Sequence, residues 1–352
     1  MSWFVDDGSA IDAEGWRRGE TLYLPDGKAG LYPPALSEGV ASLLPDGPRP
    51  AVVLIVRVNS DGDVRLEGAE RAVIRSTAKL AYHSVQASDL PAEFGELARR
   101  VQTAELRRGA ARVDPPEQEV AALPDGKFEL TFRPRLASEV DNAALSLATN
   151  LAVADALQSH GTGLFRVMAE PDAKAVARLR LTAQAVGVAW PAGTLLKDFE
   201  RTLDQGNPQH AALMMAIRRA GPGASYAPHR SGIVPWHAAV GAVYTHATAP
   251  LRRLADRYVL RAALAIANGR PVPPLVQQAF EKIPPVMARA DALASQIGRA
   301  VVDLPEAVQL REQEGETFAA IVTDWTSAAQ RYSCATFLWW HASLCGRWHQ
   351  VI

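Results

Sequence analysis

Cysteine is scarce in this sequence: Cys334 and Cys345, both near the C-terminal end, are the only two in 352 residues. Two cysteines make neither a disulfide framework nor a four-ligand zinc site, so cysteine chemistry is not expected. Charge of one sign is missing as well. The 37 Lys and Arg against 38 Asp and Glu leave a formal charge of −1, which excludes a bulk basic field that would hold the chain on nucleic acid or an anionic membrane. Any grip on a polyanion must come from a local pocket. The apolar run AVVLIV (51–56) has the length of a strand and falls far short of a membrane span, and no charged segment followed by an apolar run opens the sequence. The expectation is a cytoplasmic protein without membrane contact. Internal repeats and low-complexity segments are absent too, which excludes solenoids and long linkers.

What is present is a globular composition, 48% hydrophobic, able to supply the core of one large domain or two ordinary ones. The first half alternates strand-like runs with turn signals. AVVLIVRV (51–58), NSDGD and VRLEGAERAVI (64–74) read as a hairpin, and LPDGKFELTFRPRL (123–136) enters another strand through Asp-Gly. The second half reads as helices at 142–158, 172–187, 208–221, after Pro250, and at 286–304. Strands followed by helices argue for an α+β fold. Residues 331–352 carry both cysteines and show no period of either kind. A metal patch of Cys334, His341, Cys345 and His349 matches no zinc spacing, so an altered reading frame or a disordered tail is the preferred reading.

One helix raises a question about charge. In YTHATAPLRRLADRYVLR (244–261), Pro250 suits a first helical position, Thr248 can cap it, and Leu251, Leu254, Tyr258 and Ala262 share an apolar face that ends at Asn268-Gly269. Arg252 and Arg253 then fall in the first turn, at the positive end of the helix dipole, where a cation is unfavourable by a few tenths of a kcal/mol. Two readings account for them. Either both pair with Asp256 at i,i+4 and i,i+3, or a helix N-terminus and a guanidinium fork await a phosphate.

The motif Y-x-H-x-T-x-P-x-R-R-x-x-D-x(4)-R, formed by Tyr244, His246, Thr248, Pro250, Arg252, Arg253, Asp256 and Arg261, resembles the signature of the RNB-domain exoribonucleases, the ribonuclease II and ribonuclease R family. The family's usual serine before the proline is Ala249 here. Residues 8–51, IRSTAKLAY (74–82), the RRG at 107–109 with PPEQEV (115–120), and GLFRV (163–167) resemble further family segments in family order. The resemblance covers roughly residues 3–310. It implies that single-stranded RNA threads, 3′ end first, into a channel where it is hydrolysed to nucleoside 5′-monophosphates with Mg²⁺. By that resemblance Arg252 matches the arginine on the phosphate near the scissile bond. Tyr23 matches the tyrosine that packs on the terminal nucleotide, and Tyr82 one that lines the channel near the ribose. Arg253, Tyr244 and His246 join the substrate-binding set, the last two as residues that order the loop. Stacking on bases tolerates any sequence, as a non-specific nuclease requires.

The departures from the family pattern bear on activity. The family's Mg²⁺ is held by a D-x(5)-D-x-D-D cluster before the segment that matches Met1–Ser9, and the expectation is a domain that lacks it, with no metal ligand among its residues. Asp6-Asp7 reads as a turn signal rather than a substitute. Gly298 falls where an assisting acidic residue aligns, Val113 near a base-clamping aromatic, and Ala143–Ala144 at two glutamates that help to read RNA over DNA. GETFAAIVTDW (315–325) looks like the first strand of an S1-type barrel. The expected organisation is an RNB catalytic domain over 1–312, a mostly antiparallel sheet followed by a helical half, then the start of an S1-like OB barrel over 313–330 and an atypical tail over 331–352. The expected partner is single-stranded RNA, without a preference for DNA. The function is 3′→5′ exoribonuclease, with a catalytically dead RNA-binding remnant as the alternative.

Overall fold

Local chemistry fixes the first elements. The computed structural model describes residues 1–110, 117–122, 128–133, 135–311, 320–325, 329–334 and 340–344. Helix α1 (Ala10–Arg18) starts where the Ser9 side chain accepts the Asp12 N–H, and it leads into the short antiparallel pair β1 (Leu22–Leu24) and β2 (Gly27–Ala29). The expected hairpin is present as β3 (Pro48–Val58) and β4 (Val64–Arg75), paired antiparallel. In its turn the Asn59 side-chain oxygen accepts the N–H groups of Asp61 and Asp63. Gly62 has φ +79°, and a Cβ there would stand 2.1 Å from the Arg100 carbonyl, so only glycine lets the turn approach helix α2 (Phe94–Arg107).

The chain divides into two compact units. The first comprises residues 1–110, 135–168 and 224–296. Its framework is α3 (Ala137–Ser159), which follows the antiparallel pair β5 (Glu117–Ala122) and β6 (Phe128–Arg133) in the chain. Ala98, Val101, Ala144 and Ala148 let α2 and α3 pack closely. Leu157, Phe165, Leu254, Tyr258, Phe280 and Ile283 form the centre of the main core, each buried. Full burial of such a side chain is worth about 1.5–3 kcal/mol. Strand β7 (Leu164–Val167) follows α3 and pairs with a later strand of the same unit.

The second unit comprises residues 111–134, 169–223 and 297–352. Helices α4 (Ala173–Ala185), α5 (Leu196–Glu200) and α6 (Pro208–Ala220) enclose a core of Leu179, Phe199, Leu213 and Ile217. Trp190 stacks on Phe199 at 4.3 Å, and the Arg180 guanidinium covers the same indole at 4.3 Å.

Back in the first unit, β8 (Ser225–Pro228) pairs with β7, and β9 (Trp236–His237) with β10 (Ala242–Val243). Two helices follow, α7 (Leu254–Ala267) and α8 (Pro274–Arg311). The last strands are β11 (Ala320–Trp325), within the stretch expected to be a strand, β12 (Ala329–Cys334) and β13 (Trp340–Leu344), paired as an antiparallel meander that reaches into the residues without a sequence period. Cys334 and His341 belong to these strands, whereas Val113, Cys345 and His349 lie outside the described residues.

The α+β class is as expected, with antiparallel pairing in every described strand pair. Two features differ from the sequence reading. The first half also holds α1, which packs Ile11 and Trp16 against the main core, and α2, whose buried residues Ala98, Val101 and Ala104 are small. Helix α8 begins at Pro274, not near residue 286, and continues through Pro284 and Pro285. Each interior proline is unfavourable by about 3 kcal/mol, which the burial of Val276, Phe280, Ile283 and Met287 offsets. Among the described residues no helix is long and apolar enough to cross a membrane.

Candidate RNA-gripping loop

The loop from Tyr244 to Arg253 is held from several sides. The Thr245 hydroxyl donates to the Leu164 carbonyl at 2.6 Å, and the Ala247 N–H donates to the Asn150 side-chain oxygen at 2.9 Å. Asn150 in turn donates to the Tyr244 hydroxyl at 3.0 Å, and the hydroxyls of Ser146 and Thr248 meet at 2.9 Å. The Thr21 N–H donates to the Arg252 carbonyl and the Leu254 N–H to the Gly19 carbonyl, both at 2.9 Å. The chain between α1 and β1 is therefore laid against Arg252 and Arg253, two residues from Tyr23.

These bonds correct the expected helix start. Helix α7 begins at Leu254, so Pro250, Arg252 and Arg253 precede it, and Arg253 has extended backbone (φ −134°, ψ 127°) because it bridges Glu20. Thr248 does not cap it. No side chain caps it; Arg253 stands at the N-cap position, and Asp256, fully buried in the first turn, reaches back to the Ala249 N–H at 2.7 Å and takes two hydrogen bonds from the Arg253 guanidinium at 2.9 Å. The two arginines thus part ways. Arg253 is bound to Asp256, as the ion-pair reading has it, while the Arg252 side chain is exposed and makes no hydrogen bond or ion pair among the described residues.

Beneath the loop lies a group of rings. His246 Nδ1 is 2.7 Å from the Tyr226 hydroxyl, and the Tyr244 ring stands edge-on between those of His246 (5.4 Å) and His237 (5.5 Å). Arg166 covers Tyr226 at 4.6 Å and donates to Asp291 at 2.9 Å. Burial, then the positive charges of Arg253 and Arg166, holds His246 well below the usual histidine range, and burial followed by Arg166 lowers His237 to about 4. Both imidazoles are neutral at neutral pH. They shape the loop and add no positive charge for a phosphate.

Tyr23 and Tyr82 are both exposed, at 62% and 49%. Tyr23 projects from β1 opposite Lys28. Tyr82 is held at the start of α3: its carbonyl accepts from Ser138 at 2.7 Å and its hydroxyl from Asn142 at 2.9 Å. Ser138, Asn142, Ser146 and Asn150 recur every four residues and form one polar stripe, about 18 Å long at 1.5 Å per residue. Three of the fixed points of the site, Tyr82, Thr248 and Tyr244, hang from it. The sequence reading passed over this stripe, although S-x3-N-x3-S-x3-N is legible within the apolar run of α3. Ala144 is buried against α2, and Gly298 lies in α8.

The carboxylates here do not fit Mg²⁺, which needs several free oxygen ligands. Asp256 and Asp291 are occupied by arginines, and burial with the Asp291 charge pushes the Glu20 carboxyl above its ordinary range. Among the described residues no three His, Cys, Asp or Glu side chains converge on a metal position.

Comparisons with known proteins agree with this architecture. The family model "RNB domain" matches residues 1–268. Ribonuclease R 1 of Lactococcus lactis subsp. lactis is 24% identical over 93% of this chain and 43% of its own length. The chain spans about half the length of the curated relatives it matches. Mycoplasma genitalium RNase R, solved with ribose-methylated single-stranded RNA, superposes with a TM-score of 0.80 at 20% identity, over 97% of this chain and 57% of that one. Yeast Ssd1, a pseudonuclease, superposes with a TM-score of 0.68 at 16% identity, over 94% and 43%. By its sequence match over residues 1–268, the chain belongs to the RNB domain family.

Proposed function

We propose that this chain works in 3′→5′ exoribonucleolysis, in the cytoplasm, and that its own residues supply the grip on single-stranded RNA whose hydrolysis yields nucleoside 5′-monophosphates. The observation that carries the reading is the split between adjacent arginines: Arg253 is consumed by Asp256, and Arg252 stands free on a loop braced from both sides. An exposed guanidinium on a rigid loop takes phosphate oxygens in a forked pair of charge-assisted bonds and stabilises charge that develops on them. Tyr23, set close to Arg252 by the Thr21 bond, stacks on the terminal base, and Tyr82 on one further along; each contact contributes about 1–3 kcal/mol. Arg253, Tyr244 and His246 hold the loop. The family's hydrolysis would draw on Mg²⁺, and the described carboxylates do not fit that ion.

The occupied carboxylates favour a second reading, an RNB domain that binds RNA without cutting. One experiment separates the two. The purified chain is incubated with 3′-labelled single-stranded RNA and Mg²⁺, with EDTA as control. Binding without release of nucleotide supports the non-cutting reading, EDTA-sensitive release of 5′-monophosphates supports hydrolysis, and failure to bind single-stranded RNA contradicts both.

A further inference from the structure

A cavity of about 450 Å³ lies in the first unit, away from the arginine loop. It is formed where α3 ends, where β8 ends, and where α7 passes into α8. Along α3 it is ten residues beyond Asn150, about 15 Å at 1.5 Å per residue. Its volume is that of a small-ligand site.

The lining divides by chemistry. Pro228, Ile266, Val272 and Phe280 are apolar, and His160, His229, Arg270 and Gln277 are polar. One carboxylate, Glu281, borders it, and Arg230 engages both its oxygens at 2.6 and 2.7 Å. That pairing leaves Arg270 as the uncompensated charge, with two imidazoles beside it. His160 Nδ1 is 2.8 Å from the Ala156 carbonyl, so that nitrogen carries the donated proton and Nε2 is left for a ligand. A Cβ on Gly161 would stand 3.9 Å from His229, which brings the second imidazole next to the residue after His160. Gly163, at φ +130°, has a backbone conformation that favours glycine, and a Cβ there would crowd Leu157 and Phe165 at 3.0 Å.

We infer that this cavity binds a nucleoside 5′-monophosphate, with the base against Ile266, Val272 and Phe280 and the phosphate on Arg270, His160 and His229. A plain anion would have no use for the apolar wall, and an uncharged ring none for the Arg270 guanidinium. The choice of a mononucleotide rests on the proposed reading, whose product joins both parts, and the site would let released product report back on the enzyme.

Isothermal titration of the whole chain tests this with three probes: AMP, adenosine and inorganic phosphate. AMP should bind at least tenfold more tightly than either fragment. Arg270→Ala and His229→Gln, both at the surface of the cavity, should each weaken AMP by tenfold or more and leave single-stranded RNA binding intact. Arg252→Ala should leave the Arg270-dependent AMP binding in place. The inference is overturned if adenosine or phosphate binds as well as AMP, if AMP gives no heat at millimolar concentration, or if Arg252→Ala abolishes AMP binding while Arg270→Ala does not. Loss of RNA binding with AMP binding retained would sink the proposed function and leave this site standing.

Discussion

Buried charge is handled differently at Arg257, in the first unit, and at Glu200, in the second. In the first, Arg257 is almost fully buried and donates to Asp12 at 2.6 Å, to the Val5 carbonyl at 2.9 Å and to Asp7 at 3.0 Å, while Asp256 takes Arg253. In the second, Glu200 is 8% exposed, and one of its carboxylate oxygens is buried with no hydrogen-bond partner among the described residues. Burial, and then the nearby Glu170 charge, raises Glu200 to about 7. Paired charges act as struts whose loss is costly, whereas the lone acid is a liability relieved by taking up a proton. Arg252 completes the comparison, since an unpaired cation in water strains nothing and remains available to a ligand.

The largest effect expected is at the strut. Asp12→Ala leaves Arg257 buried with one carboxylate fewer and should cost about 3–5 kcal/mol of stability in urea denaturation; a loss below 1 kcal/mol would show that the network is not structural. The lone acid should behave in the opposite sense. Its folded pKa lies above its ordinary value, so its favourable contribution is complete below about pH 4.5 and is lost as pH rises through about 7. Glu200→Gln should therefore stabilise the chain by about 1–3 kcal/mol at pH 8, with the gain shrinking toward pH 5. An equal gain at both pH values would contradict the assignment. Asn150→Ala, which removes a buried amide bonded to both Tyr244 and Ala247, should cost about 1–3 kcal/mol and loosen the loop. Hydrogen exchange at Ala247 and Ala249 reads that loosening directly; unchanged protection at both amides would mean that α3 does not brace the loop. Smallest of all, Arg252→Ala should change stability by less than about 0.5 kcal/mol.

Much of this was legible from residue order, and the parts that were not have common causes. Helices α3, α4 and α6 follow from apolar periodicity, and the β3–β4 hairpin from its Asn59–Asp63 turn. The onset of α7 differs from the sequence reading because Asp256 ties the Ala249 N–H from seven residues on and because Glu20, from a distant part of the chain, pairs with Arg253. Sequence spacing gives Arg252 and Arg253 the same claim on Asp256. Only the fold decides between them, by extending the backbone at Arg253 and turning Arg252 outward. Arg257 and Asp12 are two hundred and forty-five positions apart, and nothing local links them. The polar stripe of α3 was visible but lost in an apolar context, since its meaning lies in what Tyr82, Thr248 and Tyr244 do with it.

The most direct test is fluorescence anisotropy of a labelled single-stranded RNA against the parent chain and Arg252→Ala over a range of salt concentrations. If Arg252 holds a phosphate, the variant should bind more weakly, and the slope of log K against log salt should become shallower by about 0.7, one phosphate contact fewer on a single strand. Equal affinity with an unchanged slope would contradict the account.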